Sequence, residues 1–320
     1  MPSQLPTFDD VIDAAARIAP HAQLTPVLTS RTLDALTGAR LFFKAEHLQR
    51  VGAFKFRGAC NAVWSLQAAT AARGVVTHSS GNHGAALALA ARTRGIPCHV
   101  IVPDNAVAAK RASIERQGAV LHLCAPSIEA REAMCAQVQA ETGAELVHPY
   151  ADARVIAGQG TATLELLAQS GGLDVVIAPL GGGGLGAGTA LALHGRAPQA
   201  ELWLAEPAGA ADGAASLAAG ALRTDIVPDT VCDGLRGKLG APNLALLLAH
   251  RAQAVTVEDA DTIAAMQLLW QVLKQVVEPS SAIALAALLS RREALAGKRV
   301  GVILSGGNVD LAALPWLAAA

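Results

Sequence analysis

One lysine of this 320-residue chain has unusual neighbours. Lys55 lies between Phe54 and Phe56, and residues with helical spacing follow it. Apolar surroundings lower the pKa of a lysine, and the resulting neutral amine is a nucleophile suited to Schiff-base formation with a carbonyl compound. A lysine that lays its stem along apolar surface and keeps its ammonium in water would explain the same residues. The segment alone therefore indicates either a reactive amine or an ordinary surface lysine.

A polar segment follows a short apolar run at residues 74–77. Hydroxyl, amide and imidazole groups at the end of a strand suit the recognition of a small polar ligand. An ordinary turn with a helix-capping Asn or Ser would look the same. The segment contains His78, Ser79, Ser80, Gly81, Asn82 and His83.

Consecutive glycines follow the apolar run at residues 175–179, and helical spacing begins after them. Their backbone N–H groups would lie at a helix N-terminus, where phosphate binds readily. Residues 181, 183 and 186 are all glycine, and Glu206 stands twenty positions after the last of them. This spacing also matches a dinucleotide-binding fingerprint, so an NAD-dependent oxidoreductase is an alternative. The consecutive glycines are Gly181, Gly182, Gly183 and Gly184.

The elements that position these segments alternate between strands and helices. Most of the predicted strands are continuous aliphatic runs, which indicates burial on both faces. Alternation with helices predicts an α/β fold with parallel sheets, in which ligands bind beyond the carboxyl ends of the strands. Strands are predicted at residues 41–44, 74–77, 99–102, 120–123, 175–179, 201–205 and 300–304, and helices at 85–94, 106–117 and 128–141.

The composition excludes several classes of protein. Hydrophobic residues make up 52%, charged residues 16% and aromatic residues 3%, whereas a typical soluble domain carries about 25% charged residues. Intrinsic disorder is excluded because it requires low hydrophobicity. The 25 basic and 26 acidic residues create no long-range field for nucleic acid or an anionic membrane. Neither a nucleic-acid partner nor a membrane partner is expected.

Two further features concern the compartment. Residues 175–195 are uncharged and long enough to span a bilayer, but their glycines would break a helix at its centre. Asp9 and Asp10 near the N-terminus do not fit a signal peptide. Scattered cysteines without a CxxC pair favour a reducing compartment, so a cytoplasmic location is expected. The cysteines are Cys60, Cys98, Cys124, Cys135 and Cys232.

Five segments, in this order along the chain, resemble the signatures of one enzyme family. Residues 54–59, 79–84, 181–184, 278–280 and 305–308 are similar to those of the fold-type II pyridoxal-phosphate (PLP) enzymes. The resemblance is specifically to the serine/threonine dehydratase and serine racemase family, which includes hydroxyaspartate ammonia-lyases. It implies two domains, each an open, mostly parallel sheet flanked by helices. Residues 1–73 and 152–320 would form the large cofactor-binding domain and residues 74–151 the small mobile domain.

The resemblance also implies roles at the cofactor. Lys55 would hold PLP covalently and then act as general base at the substrate Cα. Phe54 would pack against the cofactor ring, Asn82 would hydrogen-bond its 3′ oxygen, and Ser305 would face its pyridine nitrogen. Glu278 would belong to the same cofactor site. The four glycines would bind the phosphate.

Further roles are implied at the substrate. Ser80 would face the opposite side of the substrate from Lys55, which permits racemisation. Arg131 would either contact a second substrate carboxylate or lie on a helix surface. Gly237 stands where racemases tend to carry a serine, and Ala53 where the family usually has serine or threonine. The remaining residues of the implied substrate site are Ser79, Gly81 and His83.

A cation site is implied near Glu206. In the racemase branch the matching segment binds a divalent cation, here through the carboxylates of Glu206 and Asp212 and the carbonyl of Ala210. Such oxygen ligands suit Mg²⁺ or Ca²⁺. A solvated acidic loop is the alternative.

The implied activity is that of a PLP-dependent ammonia-lyase. Its substrate would be a small β-hydroxy amino acid, namely L-threonine, L-serine or 3-hydroxyaspartate, and its products a 2-oxo acid and ammonia. A serine or aspartate racemase with side elimination is the alternative within the family. A homodimer is expected from the family.

Overall fold

A computed structural model describes residues 5–106 and 108–317, and its strands form two sheets. The strands are β1 (Val27–Leu28), β2 (Arg40–Lys44), β3 (Val75–His78), β4 (Cys98–Pro103), β5 (Val120–Cys124), β6 (Glu145–Leu146), β7 (Val175–Pro179), β8 (Glu201–Pro207), β9 (Gln253–Val257) and β10 (Arg299–Ile303). One sheet has the order β1-β2-β10-β7-β8-β9, and the other has the order β5-β4-β3-β6. Only β1 pairs antiparallel among these strands.

Helices flank both sheets. They are α1 (Phe8–Ile18), α2 (Arg31–Thr37), α3 (Lys55–Ser65), α4 (Ala68–Ala72), α5 (Asn82–Arg94), α6 (Ala108–Glu115), α7 (Ile128–Thr142), α8 (Ala153–Ser170), α9 (Gly184–Arg196), α10 (Asp212–Ala219), α11 (Ala241–Ala249), α12 (Asp259–Leu268), α13 (Pro279–Ser290) and α14 (Arg292–Leu295). Short 3-10 turns span Glu46–Leu48, Arg50–Gly52, Ala208–Ala210, Asp233–Leu235 and Leu311–Ala313, and a π-helical turn spans Leu269–Leu273.

The predicted α/β class is confirmed, and so are the seven predicted strands. Each observed strand lies within two residues of its predicted bounds. The central strands β7 and β10 are almost fully buried, as their continuous aliphatic runs indicate. The helix predicted at residues 106–117 is observed as α6, although residue 107 lies outside the described residues.

Small residues let the helices pack closely. A Cβ on Gly188 of α9 would lie 2.4 Å from the carbonyl oxygen of Ile156 in α8. A Cβ on Gly158 of α8 would lie 2.6 Å from the Cα of Gly58 in α3. Both contacts leave no room for a side chain. The low aromatic content and many glycines and alanines therefore support tight helix packing beside the site.

Four charged side chains are grouped beneath α3. Arg57 Nε lies 2.7 Å from Glu46 Oε2, and Arg57 Nη2 lies 2.7 Å from Glu165 Oε2. Lys44 Nζ lies 2.6 Å from the same Glu165 oxygen. The Arg57, Glu46 and Lys44 side chains are fully buried. This cluster, which we call the buried ion network, ties the first turn of α3 to β2 and α8.

The uncharged stretch at residues 175–195 does not form a transmembrane helix. It contains β7, the glycine loop and most of α9. No helix within residues 5–106 and 108–317 is long and apolar enough to cross a membrane.

Candidate active site

The segment before Lys55 makes a sharp turn that is bonded to the loop after β10. Val51 and Gly52 both have positive φ angles, 56° and 71°. The amide of Phe54 donates to the Ser305 carbonyl at 2.9 Å, and the amide of Gly307 donates to the Gly52 carbonyl at 3.0 Å. Because α3 begins at Lys55, these bonds fix where the lysine side chain starts.

The Lys55 side chain points inward. Its Nζ donates to the Pro149 carbonyl at 3.0 Å and lies 5.1 Å from the centre of the Phe54 ring. Burial lowers the pKa of Lys55 to about 8, and the charge of Glu278 limits this fall. About a tenth of the amine is therefore neutral at pH 7, far more than for a lysine with the ordinary pKa of about 10.4. Of the two interpretations of this segment, the structure supports the reactive amine.

Asn82 lies in a chain of side-chain contacts. Its Nδ2 donates to Glu278 Oε1 at 3.0 Å, and its Oδ1 accepts from Asn308 Nδ2 at 2.9 Å. Asn308 also donates to the Val51 carbonyl at 2.7 Å. The start of α5 is thus bonded to the start of α13 and to both loops beside Lys55.

Ser305 is buried at the carboxyl end of β10. Its Oγ donates to the Ser280 carbonyl at 3.5 Å, and Ser280 Oγ accepts from the Gly234 amide at 3.0 Å. Ser305 therefore contacts Phe54 through its backbone carbonyl and lies close to the start of α13 through its side chain.

The glycine loop connects β7 to α9. The helix begins at Gly184, and its N-cap Gly183 has a φ of 92° and supplies no side-chain cap. No described residue accepts a hydrogen bond from the backbone amides of residues 181–186. Unpaired amides at the positive end of a helix dipole form an anion site.

One short segment joins the glycine loop to the lysine. The Tyr150 ring lies over Gly182, because a Cβ on that glycine would be 2.4 Å from the tyrosine Cγ. Pro149, the preceding residue, accepts the hydrogen bond from Lys55. The Lys55 amine and the unpaired amides of the glycine loop are thereby brought to the same site.

Three histidines surround this site as neutral groups. Burial and the nearby Lys55 hold the pKa of His83 well below its usual value. Burial, His78 and Lys55 lower the pKa of His148 to about 4, and its Nδ1 accepts from the Ala151 amide at 3.1 Å. The His78 and His148 rings lie edge to face, 5.2 Å apart. At neutral pH these rings offer hydrogen bonds rather than charge.

His148 and Tyr150 were not assigned to the site by sequence reasoning, and His78 was noted only as part of the polar segment after residues 74–77. His148 and Pro149 are recognisable only as a connecting segment of the resembled family. The one feature of the sequence that could have drawn attention to Tyr150 is that it is the only tyrosine of the chain.

The predicted substrate residues lie at the edge of the same region. Ser79, Ser80 and Gly81 form the partly exposed turn between β3 and α5, and Ser79 Oγ accepts from the Gly81 amide at 3.3 Å. Ser80 makes no hydrogen bond to a described residue. Arg131 is partly exposed on α7, and its charge lowers the pKa of His78 after the larger effect of burial. Arg131 thus lies close enough to His78 for its charge to act on that ring.

Glu206 is fully buried, which contradicts both a solvated acidic loop and a ribose-binding role. Its Oε1 accepts from the Gly213 amide at 2.8 Å and its Oε2 from the Ala214 amide at 2.7 Å. Burial raises the pKa of Glu206 to about 8, and Asp212 adds to this rise. Ala210 is also buried, in the 3-10 turn that precedes α10. In the described part of the chain, no three His, Cys, Asp or Glu residues form a metal-binding group.

The fold and the site together define a lysine-based enzyme that holds a phosphate-bearing cofactor. The family model described as "Pyridoxal-phosphate dependent enzyme" matches residues 18–306, and the chain belongs to this family. The lysine amine and the unpaired glycine amides fit PLP. The NAD-dependent alternative is wrong, because the chain belongs to the PLP-dependent family and the Glu206 carboxylate is bonded to amides of α10.

Particular relatives cover almost the whole chain. The β-hydroxyaspartate dehydratase of Paracoccus denitrificans is 51% identical, over 98% of this chain and 99% of that protein. The serine racemase of Arabidopsis thaliana is 47% identical, over 94% of this chain and 93% of that protein. The structure of maize serine racemase superposes with a TM-score of 0.94 at 43% identity, covering 99% and 97% of the two chains.

Proposed function

We propose that this enzyme is an ammonia-lyase whose preferred substrate is 3-hydroxyaspartate, which it converts to oxaloacetate and ammonia. The observation that carries the proposal is the 51% identity, over nearly the full length of both chains, to a protein named β-hydroxyaspartate dehydratase. L-Serine and L-threonine are the weaker substrates. The position of Arg131 beside His78 supports the dicarboxylic substrate, since a guanidinium fork matches a second carboxylate.

We assign the binding of the cofactor to residues around Lys55 and the glycine loop. Lys55 would hold PLP covalently, Phe54 would pack against its ring, and the amides of residues 181–184 would bind its phosphate. Ser305 and Asn82 would bind the polar edge of the ring, and Glu278 positions Asn82 through the 3.0 Å bond. When bound, PLP withdraws electron density from the substrate Cα and so acidifies its Cα–H bond.

Lys55 moves the proton. With a pKa of about 8, its amine is a base of suitable strength near neutral pH. It removes the proton from Cα, and the β-hydroxyl leaves with the electron pair of the Cβ–O bond. Hydrolysis of the released enamine then gives the 2-oxo acid and ammonia.

Ser80 provides the second candidate function. The 47% identity to a serine racemase favours some racemisation, in which Ser80 returns a proton to Cα on the face opposite Lys55. Ser80→Ala should abolish formation of D-serine from L-serine while pyruvate formation continues. Unchanged D-serine output would contradict this role.

The substrate preference is tested by comparing kcat/KM for 3-hydroxyaspartate diastereomers, L-serine and L-threonine on the PLP-saturated enzyme. We expect one 3-hydroxyaspartate diastereomer to have the highest value. Arg131→Ala should lower that value more than the value for L-serine. A preference for L-threonine in the wild-type enzyme would contradict the dicarboxylic assignment.

A divalent cation site is part of the proposal. Glu206, Asp212 and the Ala210 carbonyl supply Mg²⁺ or Ca²⁺ with oxygen ligands. The support is that two buried carboxylates both have raised pKa values, chiefly through burial, and a cation would offset the cost of their charges. Mg²⁺ should raise the Tm of the wild type but not of Asp212→Ala. The absence of any shift in the wild type would exclude the site.

Larger-scale assignments complete the proposal. Residues 74–151 act as the small mobile domain, which the separate four-stranded sheet supports. The enzyme is a cytoplasmic homodimer, and the five free cysteines support the reducing compartment. Light scattering tests the dimer. Hydrogen exchange with and without a substrate analogue tests whether residues 74–151 become protected as a unit.

A further inference from the structure

Tyr150 is held in place from several sides. Its backbone carbonyl accepts from Asn243 Nδ2 at 3.0 Å. Its ring lies edge to face with that of His148, with the centroids 4.6 Å apart. Glycines also contact it: Gly182 lies directly against the ring, and a Cβ on Gly237 would lie 3.6 Å from the tyrosine Cε1. The glycines on both sides make room for an aromatic side chain at this point.

The phenol hydroxyl of Tyr150 has no hydrogen-bond partner among the described residues. It is also absent from the buried polar atoms that lack a partner, so it retains access to solvent. A buried tyrosine usually satisfies its hydroxyl. Here the ring is fixed while its polar end is left free to bind another molecule.

Tyr150 and the glycine against its ring follow strands of different sheets. Tyr150 follows β6 of the four-stranded sheet, whereas Gly182 follows β7 of the six-stranded sheet. Charges from both sides act on its pKa, which burial raises, Asp212 and Glu132 raise further, and Arg131 lowers. Pro149, one residue earlier, carries the carbonyl bonded to Lys55. Tyr150 thus lies at the seam between the sheets, with its ring against the glycine loop and the carbonyl of its neighbour Pro149 bonded to Lys55.

We propose that Tyr150 determines specificity by donating its phenol hydrogen bond to the distal carboxylate of a dicarboxylic substrate. The inference rests on the proposed function and deepens it, because it explains why 3-hydroxyaspartate is preferred to L-serine. The hydroxyl of a neutral tyrosine donates a hydrogen bond, which an anionic carboxylate oxygen can accept. Arg131 supplies a positive charge nearby, opposite to that of the carboxylate. The cofactor phosphate is the other anionic group within this region, and the experiment separates the two.

The single tyrosine gives a direct spectroscopic probe. Protein labelled with 3-fluorotyrosine has one ¹⁹F resonance from the ring of Tyr150, and Tyr150→Phe confirms its assignment by losing it. We expect succinate, a dicarboxylate without an amine, to shift this resonance in the PLP-loaded enzyme, whereas propionate does not. A shift that occurs on PLP loading, with no further change on adding succinate, would assign the hydroxyl to the phosphate and overturn the inference.

Kinetics provide the second measurement. Tyr150→Phe should lower the ratio of kcat/KM for 3-hydroxyaspartate to that for L-serine by about tenfold or more, since a hydrogen bond to a charged group is lost. The matched control is Thr93→Val, which removes an exposed hydroxyl of α5 and should leave the ratio unchanged. An unchanged ratio in Tyr150→Phe would overturn the inference. If that variant misfolds by circular dichroism, the ¹⁹F result decides alone.

The two proposals fail in different ways. If wild-type enzyme forms oxaloacetate but neither the resonance nor the ratio responds, the inference on Tyr150 is wrong and the proposed function stands. If wild-type enzyme forms no 2-oxo acid from any β-hydroxy amino acid, the proposed function is wrong and the inference falls with it.

Discussion

At the residue scale, the chemistry depends on how the protein surrounds Lys55. The ordinary pKa of lysine is about 10.4, at which almost no neutral amine exists at neutral pH. Burial lowers it to about 8, and only Glu278 counters that fall among the charges that act on it. Lys55 is therefore both a nucleophile for the cofactor and a base for the substrate.

The first prediction concerns the rate of PLP attachment. In the cofactor-free protein, attachment needs the neutral Lys55 amine, so its rate should rise with pH and reach half of its maximum near pH 8. The appearance of the visible absorption band measures it. Lys55→Arg should give no band. A midpoint near that of free lysine, about 10.4, would contradict the account of burial.

The second prediction concerns Glu278. Its negative charge raises the pKa of Lys55, so Glu278→Gln should move the midpoint of PLP attachment to lower pH. Glu293→Gln, an exposed substitution on α14, is the control and should leave the midpoint unchanged. An upward or absent shift in Glu278→Gln would show that the carboxylate does not act on the lysine.

At the element scale, α3 must be anchored for Lys55 to be positioned. The buried ion network does this by joining α3 to β2, α8 and the turn at Glu46–Leu48. Removing one partner of a buried pair leaves an uncompensated charge, which costs about 3–5 kcal/mol. The same network therefore both positions Lys55 and stabilises the fold.

The third prediction uses pH to test this network. Burial alone would raise the pKa of Glu46, but Arg57 holds it below its usual value. Its contribution to stability is therefore present above the unfolded pKa, about 4.3, and is lost as the pH falls through the lower folded value. Glu46→Gln should lower the Tm at neutral pH and weaken its decline in acid.

The matched control is Glu145→Gln. Glu145 forms a half-exposed ion pair with Arg154 at 3.0 Å, and such a pair contributes about 0–1 kcal/mol. This variant should retain the wild-type Tm profile. Equal effects of the two substitutions would show that burial of the network does not matter.

The fourth prediction concerns a strained turn after α11. Arg251 is exposed and has a φ of 54°, a conformation that costs a residue with a Cβ about 1–2 kcal/mol. Arg251→Gly should therefore raise the Tm. Ala136→Gly, at an exposed position in the middle of α7, should lower it, because glycine costs about 1 kcal/mol in the interior of a helix. A lower Tm in Arg251→Gly would contradict the strain.

At the scale of the whole molecule, the sequence predicted the elements buried on both faces. β7 and β10 read as continuous aliphatic runs and were found within one residue of their predicted bounds. β1 and β6 were missed because each has only two residues. β9 was missed because it lies at a sheet edge and alternates in burial, so its apolar run is interrupted.

The site was predictable to the extent that it consists of local motifs. Lys55, Asn82, Ser305 and the glycine loop stand at strand or helix ends that the sequence marks. The buried ion network was not predictable, because Arg57 pairs with Glu165 across 108 residues of chain. Tyr150 was missed for the same reason, since its contact with Gly182 exists only after the two sheets meet.

The most direct test of the central claim follows oxaloacetate and ammonia together as the purified, PLP-saturated protein acts on 3-hydroxyaspartate. We predict that the wild type is yellow and forms both products in equal amounts. Lys55→Ala should form neither, although its circular dichroism matches that of the wild type. A colourless wild type, or a Lys55→Ala variant that forms oxaloacetate at the wild-type rate, would contradict the account.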